Sequence, residues 1–180
     1  MNFPANDRKV TDAVARLIEK SGADVDYLRI SKLIYLADRK SIVMRGSPIV
    51  GGRYFSMRKG PAISEVMNFV KRRNAPGWKE TISPLHGHAL NLLQKPKYES
   101  LTRSEIEILD AVAAEHFNRS TDDLVDWCHS NCPEYEEVPL SKRKPIELAS
   151  ILKSEGKSEA QIEKIEARAE ELSELQELLG

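Results

Sequence analysis

The stretch KLIYLADRKSIVMRGSPIVGGRYFSMRKGPAISEVMNFVK, Lys32 to Lys71, decides the fold. The helix that leads into it, YLRISKLIYLADRKSIVMRG from Tyr27, is apolar around much of its circumference. Ile30, Leu33, Ile34 and Ala37 make one face, and Leu28, Tyr35, Leu36, Ile42 and Val43 broaden it. A helix greasy on most sides is central and buried. Gly46 and Pro48 stop it, and Pro48 to Gly52 read as a turn. Tyr54, Phe55 and Met57 suggest a short strand, because aromatics favour a pleated, half-buried surface. Ile63, Val66, Met67 and Val70 then fall at i, i+3, i+4, i+7. That spacing predicts a helix opening near Pro61, where proline at the first position loses no needed donor.

Outward from this stretch the signals are mostly helical. Val10, Val14, Leu17 and Ile18 follow Asp7, a candidate N-cap, and Gly22 ends their helix. Residues 78–98 are loop-like, with short strands expected around Ile82 to Leu85 and Leu90 to Leu93. Thr102 with Glu105, and Ser120 with Asp123, have the spacing of capping boxes. From Pro145 a short helix is expected, with Ile146, Leu148, Ile151 and Leu152 on its apolar face. Gly156 separates it from a terminal helix that begins at Ser158. There Ile162, Ile165, Ala169, Leu172, Leu175 and Leu179 form a stripe among seven glutamates. Packing of that helix on its own domain is the leading reading, and a partner-binding arm the other. The expected class is mainly α (α+β): a compact helical domain with a short β-hairpin or small sheet, residues 1–144, and a C-terminal helical extension, residues 145–180.

At 180 residues with 41% hydrophobic content, the chain can bury a core of its own. A formal net charge of -1 argues against a general nucleic-acid binder. No apolar run is long enough to cross a bilayer, and MNFPANDRKV lacks the apolar core of a signal peptide, so the expected location is cytoplasmic. Cys128 and Cys132 are expected to be free thiols.

No constellation for catalysis emerges. The chain has no GxSxG, HExxH or GxxxxGK[ST]. Cys128 beside His129 is adjacency, which does not supply the geometry of a Cys/His pair. His86 and His88 with Cys128 and Cys132 lack the spacing of a structural zinc site, so neither metal nor cofactor is expected. Lys59-Gly60-Pro61 cannot cradle a phosphate, since proline offers no N–H. Asp38 is a carboxylate in a greasy helix, which costs energy unless it is bonded. Turn N–H groups, or Arg53, Arg58 and Lys59, are its candidate partners. Lys71, Arg72 and Arg73 end a helix, where cations complement the dipole. Arg53, Arg58, Lys59, Lys71, Arg72 and Arg73 together form a candidate partner-binding surface. A nucleic-acid surface, the lesser alternative, would use the same residues for phosphates, with the first two helices in a helix-turn-helix-like arrangement.

Taken together, several segments resemble the Panacea domain, also called the SocA-like or phage-associated protein domain. The shared pattern comprises Lys32, Leu33, Tyr35, Ala37 and Asp38, the turn Gly46, Pro48 and Gly51, then Tyr54, then Gly60 and Pro61. A second block, LTRSEIEILDAVAAEHFNRSTDDLVDWCHSNCPEYEEV, is similar to the family's and carries Ser120, Leu124 and His129 at its landmarks. IELASILKSEGKSEAQIEKI resembles the usual C-terminal extension. Cys128 departs from the common Thr or Ser, and Tyr135 lies near a position often held by Trp. The resemblance extends over roughly residues 8–170. It implies a non-enzymatic antitoxin of a toxin–antitoxin module, with a cognate toxin protein as partner. A ClpXP-type protease is a further implied partner, through the adaptor role of the SocA-type member. It also implies structural roles for the motif residues. A DNA-binding transcriptional regulator of bacterial or phage origin is the alternative.

Overall fold

The computed structural model describes residues 2–180. Its centre is the helix α2 (Tyr27–Arg45), counted after α1 (Asp7–Ser21). All nine positions from Ile30 to Asp38 are buried, more than two turns on every side. That explains why the apolar pattern is continuous where a surface helix would show one stripe. The Asp26 carboxylate accepts from the Leu28 amide to start α2, and Gly46 ends it in the left-handed region. α1 is capped by Asn6, whose side chain accepts from the Lys9 amide. The cap thus sits one residue before Asp7, which occupies the first turn and complements the dipole there.

Two small antiparallel sheets complete the framework. β1 (Val25–Asp26) pairs with β4 (Ala89–Leu90). β2 (Tyr54–Met57) is the middle of the other, between β3 (Gly60–Ile63) and β5 (Arg143–Pro145). In the hairpin Tyr54 opposes Ile63 and Met57 opposes Gly60, with Arg58 and Lys59 at the tip. Gly60 has φ +95°, a conformation other residues rarely adopt.

The two Pro-led helix starts need correction. Gly60-Pro61 belongs to β3, and α3 (Ser64–Arg72) starts only at Ser64, without a side-chain cap. Pro145 closes β5, and α7 (Leu148–Ser154) starts at Leu148. Both strands are sheet edges, the place where a proline's missing N–H is tolerated. The local preference of proline for a first helical turn loses here to pairing with β2.

The Ile82–Leu85 and Leu90–Leu93 region contributes a bridge between Ile82 and Leu92 beside the two-residue β4, following the short α4 (Trp78–Thr81). α5 (Arg103–Glu115) and α6 (Thr121–Asn131) both open with reciprocal capping boxes, Thr102 with Glu105 and Ser120 with Asp123. α8 (Glu159–Leu179) opens with Ser158 and Gln161 in the same arrangement. The fold is mainly α with a small sheet. α1, α5, α6 and α7 all contact α2. Leu148, Ile151 and Leu152 of α7 and Ile162 and Ala169 of α8 belong to the same core as Leu33 and Ile34.

Candidate functional site

The motif residues converge on two buried polar nodes, both on α2. At the first, Asp38 is fully buried and its carboxylate accepts four hydrogen bonds. Oδ1 takes the amides of Ile49 at 2.8 Å and Val50 at 2.9 Å. Oδ2 takes the Gly51 amide at 2.9 Å and the Tyr54 hydroxyl at 3.0 Å. None of Arg53, Arg58 or Lys59 reaches it; of the two kinds of partner expected, the turn amides are the ones that bond it. Burial pushes its pKa up to about 6, against the downward pull of the hydrogen bonds from Val50, Gly51, Tyr54 and Ile49. The turn is held on its far side by the N-terminal segment. Gly52 N donates to Phe3 O and Asn6 N to Val50 O. Gly51 has φ +70°, and a Cβ there would lie 2.4 Å from Pro4 O. Only glycine lets the two backbones approach this closely. Pro48 lies half-buried in the same turn, and Gly46 packs under Ile165 of α8.

At the second node Lys32 is 2% exposed. Its ammonium donates to Pro61 O at 2.7 Å, fixing β3 to α2. Burial lowers its pKa to about 8, with Cys128 and Cys132 nearby opposing the shift. Gly60 sits against the same ammonium and the His129 ring, each about 3.5 Å from where a Cβ would be. His129 stacks on Tyr135, centroids 4.6 Å apart, and the Tyr135 hydroxyl donates to Met57 O at 3.0 Å. So α6 and the segment after it clamp the hairpin tip. Tyr35 packs against the first node, its ring edge-on to Tyr54 with centroids 5.9 Å apart.

Tyr35 also donates to Glu134 at 2.7 Å, and Arg39 Nε donates to the same carboxylate at 2.8 Å. Ser154 adds a weaker bond from α7. Sequence reasoning missed Glu134, since a lone acid after Pro133 carries no periodic or motif signal. Glu105, read as a cap, doubles as the partner of Lys9 and Arg45.

The basic residues stand on different elements. Arg53 lies at the start of β2, paired with Glu65 at 2.8 Å. Arg58 and Lys59 lie at the hairpin tip, roughly 15 Å along the strand. Arg73 is the left-handed C-cap of α3, and its guanidinium donates to Ile82 O. That leaves Arg58, Lys59, Lys71 and Arg72, whose side chains have no hydrogen-bond or ion-pair partner among the described residues. α2, buried on every side, presents no free face to a DNA groove. Cys128 and Cys132 are buried free thiols. No group of three or more His, Cys, Asp or Glu is placed to hold a metal among the described residues. No helix among them is long and apolar enough to cross a membrane.

A sequence model of the family described as antitoxin SocA-like, Panacea domain, matches residues 30–135, more than half of the chain. The chain belongs to the SocA-like Panacea antitoxin family. No curated protein and no solved structure matches it. The match contains both nodes and the capping boxes of α5 and α6, from Ile30 in α2 to Tyr135 behind the hairpin tip. It is narrower than the span of roughly 8–170 read from the motifs, and leaves α1, α7 and α8 outside it. Membership supports an antitoxin role and suggests a non-catalytic one.

Proposed function

We propose that this Panacea-family chain is the antitoxin of a toxin–antitoxin module, binding a cognate toxin protein and neutralising it. The family match over residues 30–135 is the observation that carries this reading. Geometry supports it in one respect. The motif groups with chemical potential, Asp38, Lys32 and Tyr54, are engaged in internal bonds and buried, so function falls to the outer surface. Residues 1–144 would be the family domain and residues 145–180 its extension, and the chain would act in the cytoplasm without a cofactor. Neutralisation would proceed by occlusion of the toxin or by its delivery to a ClpXP-type protease. These differ in whether toxin levels fall. Co-expression with the product of the adjacent open reading frame tests the proposal. Growth arrest by the neighbour alone, relieved by this chain, is expected. A harmless neighbour, or arrest that persists, overturns it.

One observation favours a second reading. Arg58, Lys59, Lys71 and Arg72 are exposed cations, as phosphate contacts would require. A DNA-binding regulator built on them would bind promoter fragments with steep salt dependence.

A further inference from the structure

α8 keeps its charges apart. It carries seven glutamates and two cations, Lys164 and Arg168. At about 100° per residue, all the glutamates but Glu171 centre on one side of the helix. Lys164 and Arg168 fall with Gln161, Ile165, Leu172 and Gln176 in a sector of about 120° that centres roughly 180° away. Neither cation has an acid four residues before or after it, where an ion pair would form. Each stands four residues from the other instead, a like-charge spacing that weakens a helix. Glu171 lies at the edge of their sector and pairs with neither, and their side chains have no hydrogen-bond or ion-pair partner among the described residues.

That side of α8 walls a groove. Two crevices, of about 680 Å³ and 640 Å³, run along it and share Arg45 and Arg168 in their linings. The other wall is the end of α2 in the first, and residues 3–9 with the turn at Pro48 in the second. Arg8, Lys9 and Lys157 bring the cations of the lining to six, against Asp7, Glu105 and Glu171. Glu105 is already engaged, since Lys9 at 2.7 Å and Arg45 at 3.3 Å share its one buried charge. The groove is therefore basic in a chain whose net charge is -1. Between the cations it is apolar: Val43, Ile165 and Leu172 line it, and so does Met44, which is 65% exposed.

We infer that this groove receives the toxin, as an extended acidic segment of it laid along α8. The inference rests on the antitoxin reading and names its interface. Charge selects the occupant, because the unpaired cations belong to the lining itself. Its carboxylates would pair with Lys157, Lys164 and Arg168, and its apolar side chains would cover Met44 and Leu172. Size agrees. From Gln161 to Gln176 the groove follows α8 for about 22 Å, room for roughly six or seven extended residues. Over that length the two crevices have a cross-section of roughly 60 Å². An extended strand takes up about 50 Å² and a helix roughly 80–110 Å². A second copy would offer its glutamates on α8, which as a helix is too thick. A nucleic-acid duplex is wider still. A single strand stacks on aromatics, of which the described lining holds Phe3 alone, and Phe3 is buried. α8 lies outside the matched residues 30–135, so its two cations would make the preference particular to this chain.

The test uses the full chain and the purified product of the adjacent open reading frame, with binding followed by calorimetry. Lys164→Ala with Arg168→Ala removes both charges and leaves a strong helix former at each position. Lys164→Glu with Arg168→Glu reverses them, and Glu163→Lys with Glu170→Lys changes the far side of α8 instead. Wild type is expected to bind, the alanine variant about 10-fold more weakly with less salt dependence, and the reversal about 100-fold more weakly. The far-side variant is expected within about 2-fold of wild type. If wild type binds and the reversal binds within about 2-fold of it, the groove is not the interface and the antitoxin reading stands. A far-side variant that changes binding as much as the reversal does would make net charge the cause and overturn the inference. If wild type does not bind, the inference fails, and the antitoxin reading fails with it where arrest also persists. Light scattering and DNA retention cover the other occupants. A dimer of the chain alone, or bound DNA, that the reversal abolishes would assign the groove to a second copy or to nucleic acid and overturn the inference.

Discussion

The Tyr54 hydroxyl donates a 3.0 Å hydrogen bond to the Asp38 carboxylate, joining the first strand of the hairpin to the middle of the central helix. Three turn amides meet the same carboxylate. Removing it leaves four buried donors without an acceptor. Asp38→Ala should therefore cost about 3–5 kcal/mol, and Asp38→Asn, which retains one good acceptor oxygen, about half of that. Urea unfolding measures both. A loss below about 1 kcal/mol for Asp38→Ala would mean the turn does not depend on this node.

Lys32 makes stability depend on alkaline pH. Its folded pKa is about 8, below the ordinary 10.5. Between those values the unfolded chain holds more protons, so stability rises with pH. The contribution is complete above 10.5 and is lost as pH falls through about 8. Relative to Lys32→Met, wild type should gain roughly 3 kcal/mol between the two ends of that window. Unfolding of both proteins at each pH gives the difference, in which the tyrosines cancel. A difference constant with pH would contradict a buried, titrating Lys32.

Gly51→Ala should destabilise by about 2–4 kcal/mol, through a left-handed conformation and a Cβ against Pro4 O. The N-terminal segment pays first. Amide exchange at Asn6 and Gly52, which bond across that contact, should quicken more than exchange in α2. Equal protection in the variant would show that the close approach is not needed.

Lys71→Glu with Arg72→Glu should leave unfolding free energy within about 1 kcal/mol, because only the helix dipole is opposed. The wild-type chain should not retain duplex DNA at roughly physiological salt, given its net charge of -1. Salt-steep DNA binding abolished by the double variant would instead favour the regulator.

Much of the helical framework is legible because its signals are local. Thr102 with Glu105, Ser120 with Asp123, and the stops at Gly22 and Gly46 each depend on residues within one turn. What escaped depends on partners far along the chain. Pro61 carries the sign of a helix start, yet its conformation is set by β2 and by a lysine 29 residues earlier. All three residues of Arg143–Pro145 are exposed and show no alternation, so nothing in the segment announces a third strand. Asp38 is recognisable as a carboxylate needing partners, with turn N–H groups among them, but which amides meet it depends on a turn 11 to 13 residues further on. The α8 residues expected to form one stripe divide over two directions: Ile162 and Ala169 are buried, while Leu175, Leu178 and Leu179, roughly a third of a turn round the helix, are exposed.

Neutralisation by binding has a stoichiometric signature that separates it from every catalytic alternative. The direct measurement is a titration of the purified neighbouring toxin's activity with increasing amounts of this chain. A linear fall to zero at a fixed molar ratio, with both proteins recovered intact in one complex, is the predicted result. Activity that is unchanged at excess chain, or abolished by a small substoichiometric amount, would contradict it.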